Sequence, residues 1–194
     1  IFAPSATFVK SVNCRHLTIY ATGVLANIEN DYNTDISVVA PQHTYAAQWA
    51  EENGCYFINS DNMTNALGGT IRLSDSGLRF GFSWDSIAEL ENIADNVEYG
   101  FLYEYGETTE LNRKKVATNH IDHDGYTTFN LVFTNIPKAN YDTKISARAY
   151  VCIDGMYFYS DIITRSFEGV ANAVLADDTI DEATKEQVRS ILEA

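Results

Sequence analysis

The feature that most constrains the fold is a segment near the C-terminus, residues 143–167, in which apolar and polar side chains alternate on both sides of Asp154-Gly155. This dipeptide is typical of a two-residue β-hairpin loop, so Ile153 should face Met156. One face of the hairpin is then mainly apolar, and a slip of one residue would turn that face to solvent. The register also places Tyr150 opposite Tyr159 and Arg148 opposite Asp161.

The same period of two recurs upstream, in residues 78–84, 97–105 and 129–133. Such alternation predicts half-buried strands, and the Lys- and Arg-rich segment 111–118 is typical of an edge strand. In total, about seven strands separated by turn signals within about 100 residues are typical of an Ig-like antiparallel β-sandwich.

The first third of the chain has a different pattern. Apolar residues from Leu17 to Ile28 recur at helical spacing and predict a helix over residues 15–30. Residues 36–40 predict a buried strand, residues 43–53 a second helix that ends before Gly54, and residues 55–58 another strand. This order indicates a βαβ-like unit.

The predicted fold class is therefore α+β. A small α/β segment covers residues 1–66 and belongs to a larger upstream domain in one interpretation. The β-sandwich covers residues 67–168 and a helical segment covers residues 169–194. Thr179 and Glu182 predict a capping box for a last helix, which packs either on this chain or on another.

Charge and hydropathy exclude some functions. A formal charge of -14 repels nucleic acid and anionic lipid, and no apolar run approaches the roughly 20 residues that span a bilayer. The opening IFAPSATF has neither Met nor a basic region, so we expect a piece of a longer, secreted precursor. Cys14, Cys55 and Cys152 form no CxxC pair; a Cys14–Cys55 disulfide and three buried thiols are both open.

The catalytic motifs of hydrolases are missing from the sequence, because no Ser or Cys lies in a nucleophile elbow. His120, Asp122 and Asp124 could bind a metal such as calcium, although Asp124-Gly125 is also an ordinary turn. No other cofactor is expected.

Two further groups of side chains could bind a ligand. Tyr150, Tyr157 and Tyr159 either stack on sugar rings or stabilise the sheet by cross-strand pairing. Arg72 and Arg79 flank a turn and should face each other. Because like charges in that position repel, we expect a carboxylate within reach of Arg72 or Arg79, with an anionic ligand as the alternative.

The segments GGTIRLSDSGLRFGF, VEYGFLYEYG, FNLVFTNIP and ISARAYVCIDGMYFYSDIITRSF together resemble a β-sandwich module. This module recurs in large extracellular, multidomain surface proteins of anaerobic gut Firmicutes. The resemblance covers about residues 67–176 and implies a bacterial, secreted or wall-associated setting and a non-catalytic role.

The sequence thus favours a non-enzymatic cell-surface module for adhesion, assembly or spacing, which binds a protein partner or its own copies. A carbohydrate-binding accessory domain is the first alternative. The second is the C-terminal fragment of a secreted hydrolase, since some 50 residues around this βαβ-like unit resemble part of an α/β-hydrolase-type domain in architecture alone.

Overall fold

In a computed structural model, the chain divides into two compact units, residues 1–63 with 88–97 and residues 64–87 with 98–194. The structure describes residues 8–11, 16–20, 27–30, 35–61, 64–84, 96–153 and 155–193. The elements of the first unit are β1 (Phe8–Ser11), β2 (His16–Tyr20), β3 (Asn27–Asn30), β4 (Asp35–Ala40), α1 (Tyr45–Glu52) and β5 (Tyr56–Asn59).

The strands of the first unit pair in parallel at a constant separation along the chain. Phe8 of β1 pairs with Asn27 of β3, and His16 of β2 pairs with Asp35 of β4. Ser37 of β4 pairs in turn with Tyr56 of β5. Each pair is 19 residues apart, so β1 and β3 form one parallel sheet while β2, β4 and β5 form another. This arrangement is that of a solenoid with a 19-residue coil.

The helix predicted over residues 15–30 is wrong, because residues 16–20 and 27–30 are strands β2 and β3. Leu17 and Ile19 lie in register with Ile36 and Val38 of β4. The apolar residues of these two short strands recur at helical spacing by chance. The strand partners that would distinguish a strand from a helix lie one coil away in the sequence.

The other elements predicted for the first unit are confirmed, since β4, α1 and β5 occupy the expected positions. Thr44 caps α1 by accepting a hydrogen bond from the backbone N–H of Ala47. Ala46 and Ala50 of the helix pack on Ile36 and Val38 of β4 in a buried cluster. Cys55 beside this cluster is a free, half-buried thiol, whereas Cys14 lies outside the described residues.

The second unit is mainly antiparallel. Its elements are β6 (Asn65–Arg72), β7 (Gly77–Trp84), β8 (Val97–Tyr105), β9 (Arg113–Val116), β10 (Ile121–His123), β11 (Tyr126–Phe133), a 3₁₀ turn (Lys138–Asn140), β12 (Ile145–Ile153), β13 (Met156–Tyr159), β14 (Ile163–Arg165), α2 (Phe167–Ala176) and α3 (Glu182–Glu193). One sheet has the order β10-β11-β7-β6, and the other has the order β13-β12-β8-β9 with β14 beside β12.

The two sheets of the second unit share an aromatic core. Phe82 of β7 and Phe129 of β11 both contact Phe101 of β8, with ring centroids 5.6 and 5.4 Å apart. Phe80, Phe82 and Trp84 are fully buried, as the alternation of apolar residues predicts. The described part of this unit contains nine strands, compared with the expected seven, since β10 and β14 are short additions at the sheet margins. The predicted edge strand is confirmed as β9.

The register predicted for the β12–β13 hairpin is confirmed, with Ile153 opposite Met156 and Tyr150 opposite Tyr159. Beyond Ser160, whose backbone N–H still donates to the carbonyl of Ala149 at 3.1 Å, the predicted register is wrong, because Ala147 pairs with Ile163 and not with Ile162. The strand leaves the ladder at Ser160, whose hydroxyl accepts a hydrogen bond from the backbone N–H of Ala149 at 2.9 Å.

The register predicted for the β6–β7 hairpin is also wrong. Arg72 lies opposite Gly77, and Arg79 lies opposite Thr70, so the two arginines do not face each other. The turn comprises residues 73–76, whereas opposed arginines require a loop of residues 74–77, and Leu67 is the extra residue of a bulge in β6. Neither the turn sequence nor the alternation fixes such a bulge.

The C-terminal helices pack on their own unit. Phe167 and Ala171 of α2 form a buried cluster with Val188 of α3, and Ile71 of β6 packs against it. Asp181, and not Thr179, caps α3, since its carboxylate accepts from the backbone N–H of Thr184 at 2.9 Å. No helix in the described part of the chain is long and apolar enough to cross a membrane.

Candidate functional site

Three tyrosines lie together on the sheet that contains β12 and β13. Tyr150 pairs with Tyr159 across the two strands, and Tyr157 lies two residues before Tyr159. The rings of Tyr157 and Tyr159 are nearly parallel, with centroids 5.9 Å apart, and Tyr150 lies 5.5 Å from Tyr157. Tyr157 and Tyr159 are 45% and 44% exposed. We call this surface the tyrosine face, which comprises Tyr150, Tyr157, Tyr159 and the neighbouring Glu98, Lys114 and Arg148.

Lys114 connects the edge strand β9 to the rest of the tyrosine face. Its ammonium lies 2.7 Å from Glu98 of β8 and 4.8 and 5.4 Å from the ring centres of Tyr150 and Tyr157. It also donates a hydrogen bond to the hydroxyl of Tyr157 at 3.3 Å. One cation thereby contacts side chains of three other strands of the sheet, β8, β12 and β13.

Tyr150 is the buried member of the tyrosine face. Its side chain is 0% exposed, and its hydroxyl donates to Glu98 at 2.9 Å. Burial, followed by this hydrogen bond, raises the pKa of Tyr150 to about 12. The hydrogen bond from Lys114 lowers the pKa of Glu98, and Glu98 raises the pKa of Lys114 in return. At neutral pH the three groups are therefore a neutral phenol, a carboxylate and an ammonium.

Arg148 lies at the other end of the tyrosine face. Its guanidinium carbon is 4.0 Å from the ring centre of Tyr159, within the range of a cation–π contact. Its Nε is buried and has no hydrogen-bond partner among the described residues. The predicted pairing with Asp161 belongs to neither ladder of β12, since the ladders stop at Tyr150–Tyr159 and resume at Ala147–Ile163.

The arginines of the β6–β7 hairpin are positioned differently from the tyrosines. Arg72 binds both carboxylate oxygens of Asp75 at 2.9–3.1 Å, so the predicted carboxylate partner is confirmed. Asp75 lies within the turn and fixes the guanidinium there. Arg79 lies between Thr70 and Val132 in the two flanking ladders. The two arginines are therefore diagonal neighbours on one face of the β6–β7 pair rather than a directly opposed pair.

The three residues considered for metal binding are divided among the segment before β10, β10 itself and the β10–β11 turn. His120 lies 3.5 Å from Asp122, and its other ring nitrogen is hydrogen-bonded to the hydroxyl of Tyr99 at 2.6 Å. Asp122 accepts from Thr127, while Asp124 lies in the β10–β11 turn. Within the described ranges, no three His, Cys, Asp or Glu side chains gather as a metal site.

Sequence reasoning did not connect Lys114 or Arg148 with the tyrosines. Alternation along the strand places Glu98 on an outer face, and the basic segment 111–118 is recognisable as an edge strand. The missing information is the strand order, which brings β12 next to β8. Since these strands are far apart in the sequence, no local pattern reveals it.

Comparison with known proteins adds no assignment: no model of a known protein family matches the chain, and no curated protein matches its sequence.

Proposed function

We propose that the second unit is an Ig-like β-sandwich module of a non-catalytic extracellular surface protein, and that it serves assembly by binding protein through the tyrosine face. The observation that carries this proposal is the pair of exposed tyrosines, Tyr157 and Tyr159, each with a cation over its ring. The resemblance to surface-protein modules and the acidity of the chain support the extracellular setting.

The composition of the tyrosine face is that of an interface centre. Tyr and Arg are enriched among the residues that contribute most to protein–protein binding. Tyr157 and Tyr159 are held against each other and against Lys114 and Arg148, so little side-chain freedom remains to be lost when a partner binds. An exposed aromatic pair that is already ordered favours association.

The charge of the tyrosine face favours an acidic partner. Glu98 balances Lys114, whereas Arg148 has no ion pair to any described residue. The chain itself carries a formal charge of -14 and exposes Asp177, Asp178 and Asp181 before α3. A second copy of the chain therefore supplies the complementary surface, and such a head-to-tail contact extends into larger assemblies.

Sugar stacking on the tyrosine face is less favoured by the same geometry. A pyranose needs a free aromatic face, but Arg148 lies over the ring of Tyr159 and Lys114 over that of Tyr157. Their exposed ring edges and the hydroxyl of Tyr159 remain available to a partner, which suits a protein surface better than a sugar ring.

Sedimentation velocity over a range of concentrations tests this function. We expect reversible self-association that weakens as salt is added, because screening reduces the attraction between the cationic face and the acidic surface. The double variant Tyr157→Ala/Tyr159→Ala should weaken association by about 30-fold, the effect expected of one strong interface residue.

Tyr126→Ala is the matched control, since Tyr126 is 43% exposed and lies on β11, in the other sheet. It should associate as the parent chain does. A chain that remains monomeric at every concentration in low salt contradicts the proposal. So does equal weakening by Tyr126→Ala and the double variant.

A further inference from the structure

A separate cavity of about 280 Å³ opens at the end of the sandwich where β8 and β11 finish and β12 begins. Its apolar floor includes Tyr105, Phe133 and Ile145, and its rim includes Asn135, Asn140 and Thr143. Every described residue that lines it is uncharged. In a chain with 40 charged residues, 13 basic and 27 acidic, this neutral lining selects against ionic ligands.

The polar groups of the rim are available to a ligand. The side-chain amides of Asn135 and Asn140 and the hydroxyl of Thr143 make no hydrogen bond to any residue in the described part of the chain. Each amide offers two donors and an acceptor, and the hydroxyl offers both roles. Adjacent hydroxyls on a neutral ligand match this mixture of donors and acceptors.

The apolar floor of the cavity also suits a neutral ligand that carries hydroxyls. Tyr105 is 51% exposed and lies 6.3 Å from Phe133, centroid to centroid. The guanidinium of Arg113 lies 5.2 Å from the ring centre of Tyr105, so the ring of Phe133 is the aromatic wall that packs against the C–H face of a sugar ring while the amides bond its hydroxyls. Sites for drug-sized ligands have volumes of about 300–1,000 Å³. The volume of this cavity lies just below that range, which suits a ligand of a single ring.

The rim is fixed by contacts with neighbouring elements. Asn135 has a positive φ of 53°, and its backbone N–H donates to the carbonyl of Asp75 at 2.7 Å. The next residue, Ile136, donates to the carbonyl of Ser76 at 3.2 Å. Because Arg72 holds the Asp75 carboxylate, it acts as a positioning residue for this wall.

The opposite wall, the 3₁₀ turn, is also fixed. The backbone N–H of Asn140 donates to Pro137 at 2.8 Å, and that of Thr143 donates to Asn140 at 3.1 Å. Tyr141 accepts from Glu168 at the start of α2. The cavity therefore exists before a ligand arrives, and little ordering opposes binding.

We propose that this cavity, which we call the Asn140 pocket, binds one neutral sugar ring, such as the terminal residue of a glycan. It is a site separate from the tyrosine face and does not depend on the proposed assembly function.

Saturation-transfer NMR with glucose, galactose, mannose, fucose and N-acetylglucosamine tests the proposal on the full chain. We expect saturable binding of at least one of them with a millimolar dissociation constant, as befits a ligand of this size. Glucuronate should bind more weakly than its neutral counterpart, because none of the described residues that line the pocket carries a charge to balance its carboxylate.

Variants then locate the site. Asn140→Leu and Tyr105→Ala should each weaken binding about tenfold or more, since they remove a polar partner and an apolar part of the lining. Asn130→Leu, an exposed position on β11 outside the pocket, is the matched control and should bind as the parent chain does. Dispersion of the amide spectrum verifies that each variant is folded.

The proposal is overturned by the absence of saturable binding for every neutral sugar, or by equal binding in folded Asn140→Leu and the parent chain. Tyr157→Ala/Tyr159→Ala should retain sugar binding. If the double variant loses only self-association, and Asn140→Leu loses only sugar binding, the two proposals are tested independently of each other.

Discussion

At the residue scale, the properties of the tyrosine face depend on the buried hydroxyl of Tyr150. This group gives one hydrogen bond to a charged acceptor, Glu98, which is itself held by Lys114. Hydrogen bonds to charged groups contribute about 1.5–3 kcal/mol to stability. Tyr150→Phe should therefore reduce the free energy of unfolding by about that amount at neutral pH, measured by urea denaturation. Tyr159→Phe, at an exposed ring, should cost less than about 0.5 kcal/mol.

The same hydroxyl predicts a dependence on alkaline pH. Tyr150 has a folded-state pKa of about 12, above the value near 10 of an unfolded tyrosine. Its contribution is therefore complete below about pH 10 and is lost as pH rises towards 12, by roughly 1–3 kcal/mol. The stability difference between the parent chain and Tyr150→Phe should shrink between about pH 10 and pH 12, the range set by this shift. A constant difference contradicts the assignment.

Which single residues could be predicted depended on local chemistry. Asp154-Gly155 defines its own loop, so the facing of Tyr150 and Tyr159 follows from the sequence. The ion pair of Arg72 with Asp75 was predicted only in outline, because a carboxylate within reach of Arg72 or Arg79 was expected for the wrong reason, the opposition of two arginines. Tyr105 and Asn140 lie 35 residues apart along the chain and come together only when the sheets are assembled.

At the element scale, the approach of β9 to β8 depends on Gly100. A Cβ at this position would lie 2.9 Å from the Cα of Val116 and closer still to the carbonyl oxygen of Lys115. Both are backbone atoms of β9, which cannot move aside without leaving the sheet. Gly100→Ala should cost about 1–3 kcal/mol or more in the free energy of unfolding and displace Lys114 from Glu98.

Gly81 of β7 is the matched control for Gly100. A Cβ there meets nothing closer than a side-chain carbon of Leu67 at 3.5 Å, an ordinary contact. Gly81→Ala should change stability by less than about 0.5 kcal/mol. If the two variants lose equal free energy of unfolding in urea denaturation, β9 does not approach β8 as closely as it does in the structure.

Elements were predictable where one face is buried against a single core. The alternation of Leu78, Phe80 and Phe82 predicts both that this segment is a strand and which of its faces is buried. Strands β2 and β3 were not predictable in this way, because parallel strands obtain their hydrogen-bond partners from a separate coil. A stretch of sequence as long as a helix includes the apolar residues of these strands but not the strands with which they pair.

At the scale of the whole molecule, the two tryptophans of the chain report on different units. Trp49 packs beside the core of the first unit, and Trp84 is fully buried in the second. Because each unit has its own core, we expect two unfolding transitions. Fluorescence of Trp49→Phe follows the second unit, and that of Trp84→Phe follows the first.

Addition of Gly100→Ala makes the test decisive. It should lower the urea midpoint reported by Trp84 and leave the midpoint reported by Trp49 unchanged. Equal shifts of both midpoints contradict separate unfolding. Far-UV circular dichroism of the parent chain, which reports on all strands, should then follow the sum of the two transitions.

The constant separation of 19 residues in the first unit also limits how its length can vary in evolution. Insertion or removal of one full coil preserves every inward-facing position of the coils on either side, since each coil contacts only its neighbours. A change of 18 or 20 residues within the strands reverses the side-chain alternation and turns apolar residues outward. Homologous chains should therefore differ here by whole coils, and shorter insertions should fall in the turns.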